Sequence, residues 1–556
     1  MAGRWVRVPL AAATAVVMAV TGTALTSSAA TGAAGEEGTS PGGRGAVDLG
    51  RQVLGADDGW GAANGGTTGG SAASAEHVSV VDTWDELRAA LGGAGARTDT
   101  TPRIVYVDGR IDAFAGTSCE AIAATVPVAG SDVPFSMDDY VAAYDPATYG
   151  WVDPAGPLED ARAAAAAEQA TRTLQHVGSN VTIVGLGADA QVVGASLRIR
   201  DARNVIVRNV TFSDARDCFP AWDPGDGDAG NWNSAYDNVS VWTSENVWVD
   251  HSTFDDGEHP HSSLPTVFGR PFEIHDGLLD ITHGSDHVTV SYNHFSDHDK
   301  TAILGSSDSR TQDAGKHKVT YHHNRWTDVG QRAPRVRFGD VHVYNELYEQ
   351  TREGIFQYYW GAGVDSSIYA ENNAFELAAG VDPARIVARW KGERLFETGS
   401  TVNGEPVDLV GAYNASVGEA DRLADEARWT PTLHGTVDPT WAVPAIVRSS
   451  AGAGRLGPVD APAYDPHATY GAGDVVVHDG AVFRAQWYAR GATPGAAWGP
   501  WEELATNEQG VPVWTPTRVV RAGDAVVHDG AVWVARWWSR GQEPGAASWG
   551  PFRAVG

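Results

Sequence analysis

Five short segments of the chain share one pattern, an alternating run of β-branched and polar residues followed by a polar turn. They read NVIVRNVTF (204–212), NVWVDHSTF (246–254), HVTVSYNHF (287–295), KVTYHHNRW (318–326) and VHVYNELY (341–348), after an opening copy NVTIVGLG at Asn180. Their equivalent valines, Val181, Val205, Val247, Val288, Val319 and Val341, are spaced 24, 42, 41, 31 and 22 residues apart. A basic unit near 22 residues with loops inserted on some turns predicts a stacked β-solenoid, in which each coil buries one face of its strands against its neighbours. A β-sandwich, which would turn about every 8–12 residues, fits the long insertions less well. Asn209, Asn293, Asn324, Asn345 and Asn373 follow their strands at similar points, where Asn tolerates left-handed backbone and can bond its counterpart in the next coil. The run LEDARAAAAAEQATRTL (158–174) reads as a helix beside or capping the stack.

A second repeat closes the chain. Residues 472–501 return as 522–552 at an offset of 50, so two copies of one small module are expected, at 463–505 and 513–556, after a main domain at 45–457. Each is near the lower size limit for an independent core and contains no cysteine. Their aromatic side chains are divided between core and exposed positions. The adjacent pairs Trp487–Tyr488 and Trp537–Trp538 are the candidates for exposed sugar-stacking rings, because alternation on a strand would bury one ring and present its neighbour.

Arg4 and Arg7, an uncharged run from Val8 to Leu25 and then TSSAA fit a secretory signal over 1–30, followed by a Gly/Ala/Ser-rich lead-in over 31–44. No later stretch is long and apolar enough for a membrane span, so the mature protein is expected to be extracellular and free of membrane. Cys119 and Cys218 are the two cysteines, read as one disulfide or as two separate buried thiols. The formal net charge of −30 argues against general nucleic-acid binding, and a monomer is expected.

Charge is segregated along the solenoid. Residues 237–280 carry nine carboxylates against Arg270, whereas 300–340 carry eight Lys or Arg against four Asp. Asp276 and Asp280 would share one side of a strand, and converging carboxylates repel unless a cation such as Ca²⁺ or a shared proton lies between them. Ion pairing with the downstream bases is the competing reading. VGQRAPRVRFG (329–339) holds Arg332, Arg335 and Arg337 within six positions, planar forks suited to carboxylate oxygens.

The stretches WNSAYDNVSV, WVDHSTF, HDGLLDITHGSDHVTVSYNHFSDHDKTAILGSSDS and VTYHHNRWTDVGQRAPRVRFGDVHVYN closely resemble the pectate lyases of the parallel β-helix family, and the likeness runs from about Gly45 to Gly457. The resemblance implies an all-β fold: a right-handed parallel β-helix followed by two small β-rich modules. It implies Ca²⁺ ligands at Asp237, Asp276 and Asp280, substrate carboxylate contacts at Lys300 and Arg337, and a catalytic base at Arg332. Arg335 either supports the site or pairs with a surface acid, and His275, Asp299, His322 and His323 read as scaffold. The implied reaction is calcium-dependent β-elimination on de-esterified polygalacturonate, giving 4,5-unsaturated oligogalacturonides. A polygalacturonase-type hydrolase, which would use two carboxylates, and a non-catalytic pectin-binding protein are the alternatives. The module pattern resembles small carbohydrate-binding modules of chitinases and cellulases, implying an insoluble polysaccharide partner.

Overall fold

The computed structural model describes residues 49–131, 133–456, 464–472, 474–478, 481–505, 512–547 and 549–555. The segments read as signal and lead-in, and the greater part of both linkers, lie outside the described residues. The solenoid is a right-handed parallel β-helix of three parallel faces. The first face stacks strands 203–208, 245–250, 286–291, 319–322, 340–344 and 367–371, and its register pairs Val181 with Val205, Val205 with Val247, Val247 with Val288, Val288 with Val319, and Val319 with Val341. These are the valines equated by the repeat. Their partners on the same inward side, such as Val207, Val249 and Val290, complete a continuous aliphatic core.

The second face follows after a two-residue corner and stacks rings instead. Phe212, Phe254, Phe295, Trp326, Tyr348 and Phe375 lie one above another, with centroids 5.4, 5.0, 4.3, 5.9 and 4.6 Å apart and interplanar angles of at most 17°. Such offset stacks add to the burial of each ring.

The asparagines divide between two jobs. Asn293, Asn324 and Asn373 form an internal ladder: the backbone N–H of Ser252 donates to Asn293, that of Asn293 to Asn324, and that of Glu346 to Asn373. Glu346 takes the rung between Asn324 and Asn373, its carboxylate accepting from the Asn324 backbone at 2.9 Å. Asn209 and Asn345 therefore do not belong to that ladder. They hold the left-handed corner one residue earlier, at φ 58° and 53°, where other coils place His251, Tyr292 and His323.

The third face carries strands 174–177, 196–200, 239–242, 279–282, 303–304, 335–336, 360–363 and 387–390 in that order. Helix Trp84–Ala90 adds Trp84 and Leu87 to the core. Helix Pro157–Thr173 packs with 119–123 and 137–143 in a satellite cluster beside the stack, where a disulfide joins Cys119 to Cys218 across a Cα separation of 5.3 Å. Among the described residues no helix is long and apolar enough to cross a membrane.

Each C-terminal copy folds as a three-stranded antiparallel sheet with a two-stranded companion. The first buries Tyr470, Phe483 and Trp501, the second Val520, Val526 and Phe552. Helix Val443–Ser450 lies on the second face through Val443 and Val447, which meet Leu347 and Ala374. Its other side, through Ile446, meets Ala525 and Val534 of the second copy.

Candidate active site

The charged residues singled out in the sequence gather on the third face, where successive coils place them at neighbouring heights. Ser240 is in register with Asp280, Ile281 with Leu304, and Ile303 with Arg335, while Lys300 bridges to Gln331 beside Arg332. Acids on two adjacent coils are thus followed by bases on the next two. Leu279 and Ile281 enter the core, so the alternation of the strand turns Asp280 outward.

Asp237 and Asp280 converge on Gly277. A Cβ at that position would lie 2.5 Å from Asp280 Oδ1 and 3.1 Å from Asp237 Oδ1, so a side chain there would fill the space between the carboxylates. Asp237 Oδ1 accepts the Gly277 N–H at 2.9 Å and Asp280 Oδ1 the Ile303 N–H at 3.0 Å. Both carboxylates are buried. Burial, with Asp280 and Asp276 close by, pushes Asp237 well above the usual carboxylate range. Burial and Asp276 push Asp280 up to about 7, against the pull of Arg332. Two buried acids, both raised by burial and by Asp276, form a site poised for a cation, and an all-carboxylate donor set suits a hard ion such as Ca²⁺.

The three aspartates are nonetheless not the tightest group. Among the described residues, the trio whose ligand atoms all lie within 4.8 Å of one another is His261, Glu273 and Asp299, with His261 Nδ1 2.8 Å from Glu273 Oε2. Below the acids, His298 bonds Asp256 through Nδ1 at 2.7 Å and the Asp276 carbonyl through Nε2 at 2.8 Å. Burial opposes its charge, but Asp256 outweighs it and pushes His298 up to about 9. His261, Glu273, His298 and Asp256 were not selected from the sequence, because their partners are remote along the chain, and Asp299 reads there as scaffold. His322 and His323 face Asp58 and Asp438, at 2.9 and 3.1 Å.

The basic wall is more differentiated than its spacing suggests. Arg332 has a left-handed backbone, φ 61°, and its carbonyl accepts the Ala302 N–H at 2.7 Å, which anchors it to the coil bearing Lys300. Its Nε is buried without a hydrogen-bond partner among the described residues. Arg335 lies 4.2 Å over the ring of Trp390, a cation–aromatic contact that neither of its two sequence readings anticipated. Arg337 is paired with Asp308 at 2.7 Å and donates to the Gly305 carbonyl at 2.7 Å; Lys391 shares the same Asp308. Tyr358, also not selected from the sequence, sits beside the wall. Burial raises its phenol, while the Arg335 and Arg332 guanidinium groups pull it down.

The module aromatics depart from the alternation expected of them. Trp487 and Tyr488 are both exposed, as are Trp537 and Trp538. The first pair follows strand Ala481–Ala485 in a bend, and the second follows Ala531–Ala535 in the same way, so strand alternation does not govern them. Trp498 and Trp549, further along each copy, are also exposed.

Comparison with known proteins agrees with this architecture. A family model described as pectate lyase matches residues 154–421, and one described as carbohydrate-binding module family 5/12 matches 463–502. A pectate lyase of Bacillus subtilis is 44% identical over 423 residues, covering 75% of this chain and 97% of that protein. Pectate lyase E of Dickeya chrysanthemi is 33% identical over 417 residues, covering 72% and 87%. Among solved structures, a thermostable pectate lyase superposes with a TM-score of 0.70 at 44% identity, covering 74% of this chain and all of that one. Another, solved to address substrate specificity and an anti β-elimination mechanism, gives 0.68 at 41% identity over the same shares. Relatives matched over nearly their whole length, on a β-helix whose third face sets buried acids beside arginines, show that the chain belongs to the pectate lyase family.

Proposed function

We propose that this pectate lyase is a secreted, calcium-dependent enzyme that cleaves de-esterified polygalacturonate by β-elimination, with Arg332 as its base. The observation that carries the reading is the cradle at Gly277, where two buried carboxylates, both raised above their ordinary range, lie next to the coils of Lys300 and Arg332. Asp237, Asp276 and Asp280 would hold Ca²⁺, which when bound would neutralise a uronate carboxylate and lower the acidity barrier at the adjoining C5.

Lys300 and the guanidinium of Arg337 would take the carboxylate oxygens of the same sugar. Asp308 and the Gly305 carbonyl hold the Arg337 fork in place before substrate arrives, so little ordering is left to do on binding. Negative charge that spreads onto those oxygens as the C5 proton leaves then meets fixed positive groups. Arg332 removes that proton, the C5 electron pair forms the C4–C5 double bond, and the C4–oxygen bond to the neighbouring sugar breaks, its electron pair staying on that oxygen, which takes a proton from solvent. A guanidinium is a base only in its neutral form, so turnover climbs as solution becomes alkaline. The C-terminal copies act as binding modules that hold the enzyme on insoluble polysaccharide.

The test is product analysis on polygalacturonate. The reading expects ultraviolet-absorbing unsaturated oligosaccharides, lost on chelation and restored by Ca²⁺. New reducing ends without unsaturation would instead mean hydrolysis.

A further inference from the structure

The two C-terminal copies are joined face to face, and the join falls where their exposed rings are. Of the fourteen large hydrophobic side chains exposed among the described residues, six lie in these two small copies, and all six are aromatic: Trp487, Tyr488, Trp498, Trp537, Trp538 and Trp549. Solvent-facing rings at that density are a binding surface rather than stray core.

Two arginines of the second copy make the join: Arg518, whose guanidinium donates to the Ala505 carbonyl at 2.8 Å, and, nearer the rings, Arg540. Arg540 is 5% exposed, and its guanidinium donates to the Gly499 carbonyl at 2.9 Å and the Trp501 carbonyl at 2.8 Å in the first copy, while its Nε donates to Thr517. The same group lies 5.7 Å from the ring centre of Trp487. Beside it, Gly541 abuts Ala497 and the indole nitrogen of Trp498, each under 4 Å from where its Cβ would stand. The consequence is a ring contact across the junction: Trp498 of the first copy and Trp538 of the second lie 6.3 Å apart with planes at 41°, and remain 68% and 54% exposed.

We propose that Trp487, Trp498 and Trp538 form one composite site spanning both copies, and that it takes a single chain of cellulose. This rests on reading the copies as polysaccharide-binding modules, and goes beyond it in making the pair, not each copy, the unit of recognition. Chemistry selects the occupant. The first copy holds five acids against two arginines and the second three acids against five arginines, so the pair carries one net negative charge of the chain's −30. Arg540, the guanidinium closest to the rings, spends its donors on backbone carbonyls and offers no fork to a uronate. Arg490 and Arg536 are exposed, but among the described residues Arg540 is the one guanidinium that lies over an exposed ring of the copies, and ring faces left open in this way recognise flat, neutral sugar faces. Cellulose is the neutral β-1,4-glucan among which pectate lies in plant walls.

The test uses the full-length protein titrated with cellohexaose and followed by calorimetry. The composite site predicts one oligosaccharide per chain, and Trp498→Ala and Trp538→Ala each weaken that single event by about tenfold. Ala497→Lys, placed on the first copy's surface to wedge the junction, weakens it comparably. Arg540→Ala does the same; turnover of soluble polygalacturonate, unchanged in each variant, reports an intact β-helix, and an unchanged near-ultraviolet tryptophan circular dichroism spectrum reports that the copies are folded. Two oligosaccharides per chain, or a Trp498→Ala protein with halved stoichiometry and unchanged affinity, would overturn the composite site while leaving two separate modules. Retention on chitin but not on cellulose would overturn the assigned occupant. Failure to bind either solid by a protein that still cleaves polygalacturonate would overturn the module reading beneath it.

Discussion

Gly277 is the residue on which the site turns, because the space its missing side chain leaves is bounded by Asp280 and Asp237. Gly277→Ala places a methyl between the two carboxylates at a distance no unstrained structure tolerates, so one of them must swing away. We expect the Ca²⁺ concentration for half-maximal activity to rise at least about tenfold, with kcat at saturating Ca²⁺ far less affected. A calcium titration of the variant that overlays the parent would remove the cradle from the account. The site was legible in the sequence to the extent that its parts were charged and close along the chain: Asp276 with Asp280, and Arg332 with Arg337. Tyr358 and the His298–Asp256 pair were not legible, since each matters through a partner on another coil and no spacing announces it.

At the scale of strands and coils, the repeat named the register, because a core of β-branched residues stacked in parallel leaves one alignment of the valines and a shift by one would turn every side chain to the other face. It did not show which Asn belonged to the ladder. Corner and ladder positions are adjacent and both accept Asn, so Asn345 could be told from Asn373 only once Glu346 was seen on the rung between Asn324 and Asn373. The second face also carries a titration. Burial, with Arg325 alongside, pushes His294 down to about 4, and its Nε2 lies 3.0 Å from Thr327 Oγ1. A histidine depressed on folding stays neutral in the native state while the unfolded chain takes up a proton below its ordinary value. Stability is therefore full above about pH 6.5 and lost progressively as pH falls toward 4, by about 3 kcal/mol at most from this group. His294→Gln should flatten that part of the profile, measured as the difference in denaturant midpoints between pH 7 and pH 4.5. A variant with the parent's full pH dependence would assign the loss to other groups.

Across the whole molecule, the proposed reaction divides two tasks between two sets of coils: acids that would hold a cation and an arginine that would take a proton. Both roles are implied by family resemblance, and the separation is open to direct measurement. The decisive experiment is the rate of unsaturated product formation as a function of Ca²⁺ for the parent, Asp280→Asn and Arg332→Ala. We predict that Asp280→Asn moves the calcium midpoint upward and is largely rescued at high Ca²⁺, whereas Arg332→Ala falls by about a hundredfold or more at every Ca²⁺ concentration. An Arg332→Ala protein of near-parental rate, or an Asp280→Asn protein with the parent's calcium midpoint, would contradict it.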